Sequence, residues 1–134
     1  MKNATLLAGL LLSLAGISSA AVSADDAQAN AKARMHAAQK VYKGLLARSA
    51  IDPNVSSAVY EQLYRWSCRW MEAEVESGTK ADKLAVEGHV GRMRGLEKMA
   101  QKLLKVKLIA PYEASAIEFY RLDAEKRLHA VQKK

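Results

Sequence analysis

Cysteine occurs once, phenylalanine once and proline twice in these 134 residues. The lone cysteine, Cys68, excludes an internal disulfide framework and leaves a buried thiol, a free surface thiol or an intermolecular bridge. Flanked by Trp66 and Trp70 on a helix, it reads as packing, because free cysteine behaves as a small hydrophobe. Long apolar runs are scarce as well. The one from Ala4 to Ile17 is about 14 residues, short of the ~20 that span a bilayer. No segment alternates like a strand. Catalytic signatures are missing: there is no glycine-rich phosphate loop and no nucleophile elbow. Ser67 and Cys68, beside Arg69, have no neighbouring base in the sequence to activate them. His36, His89 and His129 sit on separate segments, without the i, i+4 spacing of a helical metal site. The reading is therefore a non-enzyme with no catalytic, cofactor-binding or metal residues and no cofactor.

The N-terminus has the layout of a secretory signal peptide. Lys2 supplies positive charge, an apolar stretch follows, and "SSA" and "VSA" offer small-residue cleavage points after Ala20 or Ala24. The expected organisation is a signal peptide over 1–24 and a single helical domain over 25–134, located in the periplasm or cell envelope. The formal charge is +7, and +6 once Lys2 is removed.

What the chain does have is helix-forming composition, rich in Ala, Leu, Lys, Glu, Arg and Gln. Four segments show a period of three and four. The first runs from about Ala27 to Ser49 on Met35, Ala38, Tyr42 and Leu45. The second runs from Pro53 to about Ser77 on Val55, Val59, Leu63, Trp66, Trp70 and Ala73. The third spans about Lys80 to Lys107 on Val86, Val90, Met93, Leu96, Ala100 and Leu103. The fourth spans Pro111 to about Val131 on Ile117, Tyr120, Ala124, Leu128 and Val131. Joints of about three residues favour antiparallel neighbours. The predicted fold is all-α: two successive helical hairpins, 27–77 and 80–131, forming a four-helix antiparallel bundle or a coiled-coil-like array.

Local chemistry accounts for the breaks. Asp52 is placed to cap the second helix and Pro53 to fill its first turn. Pro111 opens the fourth helix in the same manner, with Glu113 near its positive end. Gly78 suits the left-handed turn that ends a helix. Gly88, Gly91 and Gly95 fall inside the third helix on one side, which predicts close helix–helix contact there, with a hinge as the alternative.

Charged and aromatic residues supply the candidate surfaces. Glu72, Glu74 and Glu76 read as a solvated stretch. Arg92, Arg94, Lys98, Lys102 and Lys105 crowd the second half of helix three, where part of the charge complements the helix dipole. This row is the candidate face for anionic lipid headgroups or acidic polymers. Nucleic acid does not fit an exported chain. Trp66 and Trp70 share a face as core anchors, and with Tyr64 and Tyr120 they are also the candidate interface aromatics.

The two proline joints match. "LLARSAIDPNVSSAV" (45–59) aligns without a gap over "LLKVKLIAPYEASAI" (103–117), and after a drift of two residues "YRW" at Tyr64 corresponds to "YRL" at Tyr120. The pattern suggests a duplicated hairpin in which Asp52, Pro53, Ser57, Pro111 and Ser115 set geometry. An apolar helix end, a short turn and a small polar residue before "A-[VI]", repeated after a signal peptide, resembles the helical hairpins of TolC-type outer membrane efflux proteins. The nearest stretch is "LLKVKLIAPYEASAIEFYRLDAEKRL" (103–128). The family usually has glycine before the joint, where this chain has Ala50 and Leu108, and the chain has no segments for barrel strands. The resemblance thus implies a soluble relative of the periplasmic helical part, or an accessory, acting by helix–helix assembly with itself or with other helical envelope proteins. The alternative is a stand-alone periplasmic binding or chaperone-like helical module with a basic, aromatic-containing surface.

Overall fold

The computed structural model describes residues 23–52 and 57–133. Within them lie four helices and no strand: α1 (Ala24–Ile51), α2 (Ser57–Glu76), α3 (Asp82–Lys105) and α4 (Pro111–Gln132). The signal-peptide reading falls on residues of which all but Ser23 and Ala24 lie outside the described part. Pro53 and Val55 lie outside it too. Among the described residues, no helix is long and apolar enough to cross a membrane.

Each helix end has a local cause. Ser23 starts α1 ahead of its expected position: its Oγ accepts from the Asp26 N–H at 3.1 Å, with Asp25 and Asp26 in the first turn. Cleavage after Ala20 would keep this cap, and cleavage after Ala24 would remove it. Asp52 closes α1, its N–H bonding to Arg48 O at 3.1 Å. The expected cap on α2 involves the joint outside the described residues. Gly78 ends α2 in the left-handed conformation at φ 66°. Thr79 N–H reaches Glu74 O at 3.1 Å, and Gly78 N–H reaches Val75 O at 2.9 Å, the paired bonds of a Schellman turn.

Helix α3 ends in the same bond pattern, Leu108 N–H to Leu103 O at 2.9 Å and Lys107 N–H to Leu104 O at 3.0 Å. Here the left-handed position is Lys107, at φ 59°, so the helix stops at Lys105 rather than at the expected Lys107. Glu113 reaches back to the Ala110 N–H at 2.8 Å and secures the start of α4 behind Pro111.

The helices pair as antiparallel hairpins, α1 with α2 and α3 with α4, joined mainly by α2 against α3. The α1–α2 register is seen in the bonds from Gln28 to the Ser77 carbonyl and from Arg34 to Glu76. Between α3 and α4, Arg94 meets Glu125 and Glu97 meets Arg121. Among the described residues α1 packs on α2 and not on α4, whereas α2 touches all three other helices. Leu63, Met93 and Ile117 are completely buried at the centre, with Leu96, Ala100 and Ala124. Met71, Ala85 and Val86 form a smaller cluster.

Two packing expectations change. Gly91 and Gly95 face open space, since nothing lies within 4 Å of where their Cβ would be. They make no close helix contact; the side they share is the solvent side of a continuous helix. Trp66 and Trp70 are half-buried at the edge of the core. Because α2 has neighbours on several sides, its centre is the row Tyr60, Leu63, Ser67, Met71, and the tryptophans turn toward α1. Trp70 lies 5.9 Å from the Tyr42 ring.

Candidate functional site

The chemistry-bearing side chains meet where α2 faces α3 and α4. Ser67 lies in the buried row of α2, and His89 lies in the buried row of α3 beside Val86, Val90 and Met93. Both are 0% exposed. Ser67 Oγ is 2.7 Å from His89 Nδ1, and Cys68 Sγ is 3.6 Å from His89 Nε2. The base that the neighbourhood of Ser67 lacks in sequence therefore arrives from the next helix. Arg92 donates from Nε to Ser67 Oγ at 2.7 Å and from Nη2 to the Ser67 carbonyl at 3.2 Å.

Arg92 can only donate, so one lone pair of Ser67 Oγ accepts from it. With His89 as the Nε2–H tautomer, the Ser67 hydroxyl donates to Nδ1 and the imidazole N–H points at Cys68 Sγ; with the Nδ1–H tautomer both bonds reverse. Burial holds the imidazole neutral, pushing its pKa from 6.5 down to about 4; Arg92 and Arg127 add to this and Asp123 opposes it. Burial pushes the Cys68 thiol up, which keeps it protonated.

A second layer connects α2 to α4. The Tyr64 hydroxyl donates to Asp123 Oδ2 at 2.5 Å, Arg127 Nε donates to the same oxygen at 3.0 Å, and Arg127 Nη2 donates to the Tyr64 oxygen at 3.2 Å. The Tyr64 hydroxyl holds the Asp123 carboxyl below the usual carboxylate range, and Arg127 adds to this. Burial and the bond to Asp123 drive the Tyr64 phenol upward. Tyr64 also stacks on Tyr120, with centroids 4.7 Å apart and planes at 15°. The two tyrosines aligned by the repeat thus meet face to face.

Ser67 and His89 have the spacing of a nucleophile and its base. Yet the hydroxyl oxygen already accepts from Arg92, and neither residue is open to solvent. As arranged, the chain Arg92–Ser67–His89–Cys68 satisfies buried polar groups and ties α2 to α3, with little room for a substrate to reach it.

The other sequence-derived residues are placed as follows. Arg92 is not on the basic face: it is half-buried, with its guanidinium 4.0 Å over the Trp70 ring. Arg94 is drawn onto Glu125 through Nε at 3.0 Å and Nη2 at 2.9 Å. Lys98, Lys102 and Lys105 remain exposed. Glu74 is not solvated: it is 3% exposed, pairs with Lys80 Nζ at 2.8 Å, and keeps Oε2 buried without a hydrogen bond. Ser57, Pro111 and Ser115 are exposed, as are His36 and His129. Among the described residues, no three His, Cys, Asp or Glu side chains group as a metal site.

No protein-family model matches this chain, and neither does any curated protein or solved structure.

Proposed function

We propose that this protein is an exported, non-enzymatic helical component of the cell envelope that works by helix–helix assembly, as its resemblance to the helical hairpins of TolC-type efflux proteins implies. One observation carries the reading. The side chains with chemical potential are used up in internal bonds, while α4 leaves Tyr112, Phe119 and Leu122 at 69%, 64% and 50% exposed. Large apolar side chains exposed along one side of a helix mark a surface for interaction. Cell fractionation followed by amine cross-linking tests both parts. Recovery in the envelope fraction as cross-linked species of higher mass is expected. Retention in the cytoplasm would refute export, and a purely monomeric pattern would refute assembly.

A second reading, a stand-alone binding module, is favoured by the groove between α1 and α2. It is lined by Arg34, Ala37, Ala38, Trp66, Arg69 and Glu72, with Arg69 lying 4.5 Å over the Trp66 ring. Anionic ligands that quench tryptophan emission in wild type but not in Arg69→Ala would favour it.

A further inference from the structure

Helix α4 is apolar on two opposite sides. Ile117 and Ala124 face the core and are fully buried. Tyr112, Phe119 and Leu122 stand on the other side, and their spacing of seven and three residues puts them in one line. Helix α1, which packs on α2, does not cover this line among the described residues. Ser115 lies within it, Lys126 extends it toward the C-terminus, and Glu118 flanks it with its side chain 57% exposed.

Charge decides the orientation of what covers it. The N-terminal half of the face carries Glu118, which sits in a loose pair with Arg121 at 3.9 Å and stays more than half exposed, and the C-terminal half carries Lys126 and Lys133. A parallel copy would set lysine on lysine. An antiparallel copy sets the lysine half of each helix over the glutamate half of the other. The short Phe119–Leu122 segment is nearly self-complementary about its midpoint, as a two-fold interface requires.

We infer that this face is an interface between two copies of the chain. The α4 helices pair antiparallel, Phe119 of each copy packs on Leu122 of the other, and Lys126 of each reaches Glu118 of the other. The inference rests on the assembly reading above and names its partner as a second copy. A single helix pair covers less than the about 800 Å² per partner of a standard interface. The dimer is therefore weak, dissociating in the micromolar range or above.

Sedimentation equilibrium of the full chain, run from micromolar to millimolar concentration, tests it with three variants. Phe119→Glu/Leu122→Glu alters only exposed positions, so helicity by circular dichroism stays as in wild type while the dimer is lost. Lys126→Glu weakens the dimer by about tenfold or more, and Glu118→Lys/Lys126→Glu restores it. A wild-type dimer unaffected by Phe119→Glu/Leu122→Glu, or a charge reversal that restores nothing, overturns this interface and leaves the assembly reading standing. A wild-type chain that stays monomeric at millimolar concentration overturns this interface together with self-association.

Discussion

Replacing His89 by glutamine should flatten the acid limb of the stability curve. The imidazole is 0% exposed, and its pKa falls from 6.5 to about 4 on folding. Between those values the unfolded chain binds the proton and the folded chain refuses it. Stability therefore rises with pH across this window: the contribution is complete above 6.5 and is lost as pH falls to about 4. At about 1.4 kcal/mol per pH unit, the window is worth roughly 3 kcal/mol, against a total of about 5–15 kcal/mol for a domain of this size.

Arg92 from α3 and Arg127 from α4 lower that value further and Asp123 from α4 opposes them, while Ser67 and Cys68 from α2 hydrogen-bond the ring and Tyr64 lies 5.8 Å from it. Asp123 and Glu125 have folded values below their unfolded ones. Their contributions begin to fade as pH falls through the ordinary values, 4.5 for Glu125 and 3.8 for Asp123, so they touch only the low end of the His89 window and do so in both chains alike. Urea unfolding followed by far-UV circular dichroism at a series of pH values separates the two. Wild type should lose roughly 3 kcal/mol between pH 6.5 and about 4. The His89→Gln chain, which keeps a hydrogen-bonding side chain without the titration, should stay nearly level there. Superimposable slopes for the two chains would refute the reasoning.

Other positions give independent checks by the same unfolding assay. Ser67→Ala leaves Arg92 Nε without its acceptor and His89 Nδ1 without its partner, and should cost roughly 2–4 kcal/mol; a loss under about 0.5 kcal/mol would mean that the cluster adds nothing. Gly91→Ala and Gly95→Ala place a methyl group in open space on a continuous helix, and each should stabilise by about 0.5–1 kcal/mol; destabilisation would show that something covers that side. Lys107→Gly relieves a left-handed residue at φ 59° and should raise stability by about 1 kcal/mol, visible as a higher melting temperature.

Helix identity and the joints at Gly78 and Pro111 were legible because their causes are local. Periodicity marked the four helices, Gly78 marked the left-handed end of α2, and Pro111 with Glu113 marked the start of α4. The polar cluster was not legible, because it depends on the register between helices. Taking Trp66 and Trp70 as the centre of α2 turned its buried row by one residue, away from Ser67. A histidine amid Val86, Val90 and Met93 was the available signal, and its meaning needed the facing row Tyr60, Leu63, Ser67, Met71. Glu74 was misplaced for the same reason: alternate glutamates on a helix point different ways, and only this one turns inward. On α4 the period of three and four follows the core side, through Ile117, Tyr120, Ala124 and Leu128, whereas Tyr112, Phe119 and Leu122 lie on the opposite side.

The mass of the wild-type chain in solution tests the assembly account most directly. Sedimentation equilibrium from micromolar to millimolar concentration should give a weight-average mass that climbs from the monomer toward the dimer, with unchanged helicity. A mass that stays at the monomer throughout would contradict it.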